Sequence, residues 1–156
     1  MTDLIETFEH QFNINGIKVD QFIGCSDDDI NILRLCQCVT NLPPLYINFM
    51  KAFGKNPNSI IHHEWELGFS IVIYLKQFAL DEFEALSTSN ISVPDDAFVF
   101  AQIVQGLGFF YFLTNTDIID PPVYQILIDD TEPKQIYNSL SEFYNVFVES
   151  VIRRNP

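Results

Sequence analysis

A chain of 156 residues, 47% hydrophobic and 14% aromatic with fifteen Phe, can bury one ordinary core without disulfides or metal and is too apolar for a disordered segment. Eight Lys and Arg stand against 21 Asp and Glu, a net charge of −13. That balance argues against nucleic acid or an anionic membrane surface as partner, and favours a cationic protein, whose encounter it would accelerate through long-range steering.

The opening Met-Thr-Asp-Leu-Ile-Glu carries acid where a signal peptide carries positive charge, so the expected location is cytoplasmic. Asp3 and Glu6 have capping-box spacing, and Leu4, Ile5, Phe8 and Phe12 recur at helical intervals. Asn15-Gly16 suits a tight turn, with an extended piece expected over Ile17, Val19 and Phe22. Ser26, followed by Asp27, Asp28 and Asp29, opens a second helix ending near Val39, with Ile30 and Leu33 inward. Pro43-Pro44 marks the entry of a third, whose stripe Tyr46, Phe49, Met50 and Phe53 stops at Gly54.

From Ser70 to Ser87 a strand-like run, Ile71-Val72-Ile73-Tyr74, competes with a helical face of Ile71, Leu75, Phe78, Glu82 and Leu86. Length decides for a helix. Ala97–Val104 and Leu107–Thr114, separated by Gln105-Gly106, predict an antiparallel hairpin, and Val123–Ile128 after Pro121-Pro122 predicts a third strand. Ser139 with Glu142 starts a last helix carrying Phe143, Val146, Phe147, Ser150 and Val151, and Arg153 and Arg154 close it. Helices, consecutive strands and a final helix give an α+β fold, a largely antiparallel sheet with helices packed on it, as a single domain over residues 1–156.

Catalytic and metal motifs fail on inspection. His62-His63-Glu64 places Leu67 where a zinc-protease helix requires His, and Gly106 and Gly108 lack the third glycine of a nucleotide loop. Cys25, Cys36 and Cys38 form neither a disulfide framework nor a zinc pair, and Cys36 and Cys38, on one helix, are expected as small buried or half-buried residues. Asp117 with Asp120, and Asp129, Asp130 with Glu132, lack the pattern of a calcium loop and read as solvated loop acids. In Phe109-Phe110-Tyr111-Phe112 two rings must face away from the first core face, where another element covers them or a partner does.

Three stretches carry a resemblance. They are Leu42-Pro43-Pro44-Leu45-Tyr46-Ile47-Asn48-Phe49-Met50 up to Gly54; Val93-Pro94-Asp95-Asp96-Ala97-Phe98-Val99-Phe100 leading to Phe109-Phe110-Tyr111-Phe112-Leu113; and Asp120-Pro121-Pro122-Val123-Tyr124 followed by Ser139-Leu140-Ser141-Glu142-Phe143. From about residue 26 to 152 their order and spacing resemble the SUKH superfamily, which includes bacterial toxin-immunity proteins and fungal regulators of cell-wall synthesis. The resemblance implies a non-enzymatic protein without cofactor, which binds and neutralises a cognate polymorphic toxin, often a basic nuclease. A regulatory scaffold like the fungal members is the alternative, expected to carry long disordered extensions. The candidate contact residues are Asp95, Asp96, Asp117, Asp120, Tyr124, Asp129, Asp130 and Glu132.

Overall fold

The computed structural model describes residues 3–55, 64–85, 92–130 and 132–154; His62, His63 and the expected helical turn at Leu86 and Ser87 lie outside them. Asp3 opens α1 (Leu4–Ile14) by accepting from the Ile5 N–H at 3.1 Å, and the helix buries Ile5, Phe8 and Phe12. The expected extended piece after Gly16 is instead a single 3-10 turn at Val19–Gln21. Alternation alone makes no strand where no neighbour offers a ladder. The following backbone lies against the end of the third helix, with Lys55 N–H donating to the Ile23 C=O and Cys25 N–H to the Met50 C=O, both at 2.9 Å. Gly24 permits that approach, because a Cβ there would stand 1.5 Å from the Lys51 carbonyl oxygen.

Helix α2 (Asp27–Cys36) begins with a reciprocal capping box between Ser26 and Asp29. It stops three residues before the expected Val39. Cys38 adopts a left-handed φ of 55°, its N–H donates to the Leu35 C=O, and Val39 N–H donates to the Arg34 C=O, which is the Schellman pattern that ends helices. Both Cys36 and Cys38 are therefore exposed rather than half-buried, and Cys25 alone of the three thiols is buried. Helix α3 (Pro44–Phe53) has Pro44 at its first position and buries Tyr46, Phe49, Met50 and Phe53, the expected stripe.

A five-stranded antiparallel sheet runs in chain order: β1 (Trp65–Glu66), β2 (Ala97–Ile103), β3 (Gly108–Leu113), β4 (Val123–Leu127) and β5 (Lys134–Tyr137). The β2–β3 hairpin is as expected, and Gln105 and Gly106 at its tip have φ of 70° and 68°. A bulge between Val99 and Ala101 leaves Phe100 without a cross-strand partner. It turns Phe100 to the face that also holds Phe98, Phe110 and Phe112. On that face lie α3 and α5 (Leu140–Arg154), through Tyr46, Phe143 and Tyr144. Phe109 points to the opposite face, against Phe78 and Phe83 of α4 (Phe69–Ala85), and Tyr111 stacks on Tyr124 at 5.3 Å. The rings of the aromatic run that leave the first core face are thus covered within the chain.

The buried side of α4 is not the expected one. Val72, Leu75, Lys76, Ala79 and Phe83 face inward, while Phe78 is 40% exposed and Ile71 and Glu82 are partly exposed. The helix is apolar on most sides, so packing against β2 and α2 chooses the face, not periodicity. The last helix follows expectation, with Glu142 N–H donating to the Ser139 hydroxyl at 3.1 Å, although the Glu142 carboxylate returns to the Asn138 N–H rather than to Ser139.

Candidate functional site

A cleft of about 630 Å³ lies between the α2–α3 loop, Thr40 to Pro44, and the β3–β4 loop, Leu113 to Ile119. Pro43 and Pro44 stiffen one wall. The other wall is tied down at its root, where Thr114 donates from both its N–H and its hydroxyl to the Asp96 carbonyl, at 2.9 and 2.8 Å. These bonds hold the Asp95-Asp96 turn against the cleft wall. Asp117 lines the cleft, and beside it Ile118 and Ile119 are 50% and 74% exposed. Among the described residues no Lys or Arg lines it.

The eight sequence-predicted contact residues do not form one patch. Asp95, Asp96, Asp117 and Asp120 lie at the sheet end where Ala97 pairs with Leu113 and Val123 with Tyr137. Asp129, Asp130 and Glu132 lie at the other, beyond Leu127. The four steps of β4 separate the ends by about 14 Å, more than a Debye length of about 8 Å at physiological salt. Tyr124 lies between them, half-buried on Tyr111.

Two of the acids also hold the fold. The Asp120 carboxylate accepts from the Ser141 N–H at 2.9 Å and from the Ser141 hydroxyl, capping the first turn of α5. Asp130 accepts from the Leu127 N–H at 3.2 Å and pairs with Lys134 at 3.3 Å. Asp95, Asp117, Asp129 and Glu132 are exposed.

The basic side chains are largely spent elsewhere. Lys51 pairs with Asp27, Lys55 with Asp29, Lys134 with Asp130, Arg153 with Glu149 and Arg154 with Glu64. The Lys51 and Lys55 ammonium groups hold the Asp27 and Asp29 carboxyls below their usual range, chiefly by hydrogen bonding. Lys76 is buried, donating to the Gln37 C=O at 2.9 Å and the Asp95 C=O at 2.6 Å. Burial lowers its pKa, while Cys38, Asp95 and Asp96 oppose that shift.

Beside Lys76, Gln37 is 1% exposed and serves as a substitute strand partner. The two-residue β1 covers β2 only at Gln102 and Ile103. Farther along the same edge the Gln37 carboxamide accepts from the Val99 N–H and donates to the Val99 C=O, both at 2.7 Å, and also donates to the Val72 C=O at 2.9 Å. The β2 edge that leads to the Asp95-Asp96 turn is thereby closed. Neither Gln37 nor the isoleucine pair was signalled by a motif. Two β-branched apolar residues in a loop bounded by Asn115 and Pro121 were the available signal for the latter.

Among the described residues no group of three or more His, Cys, Asp or Glu side chains could hold a metal ion, and no helix is long and apolar enough to cross a membrane. The arrangement offers a concavity with Asp117 in its wall and the exposed Ile118 and Ile119 beside it. A family model, the SMI1 / KNR4 family (SUKH-1), matches residues 24–146. No curated protein matches the chain.

Proposed function

The chain belongs to the SMI1 / KNR4 family (SUKH-1), which includes immunity proteins and cell-wall regulators, and from that membership we propose that it is an immunity protein that binds and neutralises a cognate, basic bacterial toxin without catalysis. The observation that carries this reading is the distribution of charge. Five of the eight basic side chains are held in ion pairs and a sixth is buried, while Asp95, Asp117, Asp129 and Glu132 stay exposed. A basic toxin surface, such as one that holds nucleic acid phosphates, meets complementary charge here, and occupation of that surface denies it to substrate.

In this reading Asp95, Asp96 and Asp117 contact the partner. Asp129, Asp130 and Glu132 act at longer range as rim charges, Asp120 positions the loop through α5, and Tyr124 holds the sheet beneath. The test is co-expression with the reading frame immediately upstream, expected to end in a small basic toxic domain. Growth arrest relieved by this chain, with a stable complex on size exclusion, is the expected result. Unrelieved arrest and no complex would contradict it.

A further inference from the structure

Deepening that reading, on which it rests for the partner being a basic protein, we propose that the cleft between Thr40–Pro44 and Leu113–Ile119 is the primary docking site, and that its occupant is an extended segment of the partner carrying Lys or Arg next to an apolar side chain. The volume, about 630 Å³, lies within the range of concavities that enclose a compact ligand. It suits a few residues of chain rather than a flat protein face. Two kinds of recognition sit on one wall. Asp117 lines the cleft, and the Asp95-Asp96 turn is held beside it by the paired bonds from Thr114 to the Asp96 carbonyl. Among the described residues no Lys or Arg lines the cleft beside Asp117, while the buried Lys76 reaches Asp95 and Asp96 from beneath.

Ile118 and Ile119 stand 50% and 74% exposed next to this acid, in a loop whose β-branched residues have no strand to join. An acidic rim alone sets encounter rates. A desolvated apolar contact beside it supplies the anchor that slows dissociation. The combination selects a basic segment with an apolar residue over a uniformly charged one. The neighbouring Asp120 carboxylate is committed to Ser141, so it fixes the loop's exit and leaves Asp117 as the direct counter-charge.

The test uses the full chain, isotope-labelled for NMR, with two synthetic twelve-residue peptides as probes, one alternating Lys and Leu and one alternating Glu and Leu. The Lys/Leu peptide is expected to shift the amides of Thr40, Asn41, Leu42, Leu45 and Thr114 to Ile119 saturably, and the Glu/Leu peptide is not. Asp117→Lys, and separately the double change Ile118→Ser with Ile119→Ser, are each expected to weaken binding about tenfold, with melting temperature unchanged because all three side chains are exposed. Glu6→Lys, an exposed change on α1, is expected to change affinity less than twofold. Shifts centred on residues 128–134, equal response to both peptides, or full affinity in both cleft variants would overturn the proposal. The peptide titration requires no toxin, so its failure is separable from failure of the immunity reading, which the growth assay tests alone.

Discussion

Replacing Gln37 tests how the free edge of β2 is closed. Its carboxamide makes three hydrogen bonds to backbone groups of Val99 and Val72 while only 1% exposed. Gln37→Ala removes all three. At about 1 kcal/mol net per bond the loss is about 3 kcal/mol, before any cavity is counted. Gln37→Glu keeps the length but offers no donor at neutral pH, so the Val72 and Val99 carbonyls face a buried carboxylate and the loss is greater. Such a carboxyl has a folded pKa above its unfolded value of about 4.3. The added penalty is therefore least below about pH 4.3 and grows as pH rises. Urea unfolding at acidic and neutral pH, read through the single Trp65 stacked on Phe143 at 4.9 Å, measures both variants. A loss under ~1 kcal/mol from Gln37→Ala, or a Gln37→Glu variant no worse than Gln37→Ala at neutral pH, would refute the edge-closing role.

Phe49, 1% exposed and stacked on Tyr144 at 3.9 Å, is expected to cost roughly 3–5 kcal/mol on change to Ala; a loss under ~1 kcal/mol in the same urea assay would displace α3 from the core. Asp120→Asn weakens the cap of α5 and is expected to cost about 1 kcal/mol, against less than ~0.5 kcal/mol for the exposed Asp117→Asn; equal costs would remove the structural role of Asp120. Burial, then Tyr124 and Asp96, push the Tyr111 pKa up to about 12. Because the folded value is raised, its contribution is intact below about pH 10 and is lost as pH climbs from there through about 12. Stability measured across that interval should fall, less steeply in Tyr111→Phe; identical slopes would exclude Tyr111 as a contributor.

Much of the fold could be read before the structure because local chemistry and global packing agree at particular residues. Pro43-Pro44 and Gly54 bound α3 as they bound its stripe, Ser139 opens α5, and Gln105-Gly106 turns the hairpin. What escaped depends on neighbours. Strand β1 is two residues long and β5 is four mostly exposed residues, each formed by pairing to an existing strand. The inward turn of Lys76 rather than Phe78 follows from carbonyls supplied by Gln37 and Asp95, far away in sequence.

The site was partly visible in the same way. Asp117 is in the cleft as a loop acid, but only strand register reveals that Asp95, Asp96 and Asp120 share its end of the sheet while Asp129, Asp130 and Glu132 do not. Composition identified acid in excess. It could not identify which carboxylates were already capping helices or pairing with Lys.

Stopped-flow association with the cognate basic toxin, from low to high salt, tests the central claim most directly. Wild-type association should slow steeply as salt screens the acids, because the Debye length shortens from about 30 Å at 0.01 M to about 8 Å at physiological ionic strength. Charge reversal at Asp95 with Asp117, and separately at Asp129 with Glu132, should each lower the on-rate and flatten the salt dependence, with the first pair also raising the off-rate. Association rates unchanged by salt and by both reversals would contradict acid-steered recognition of a basic partner.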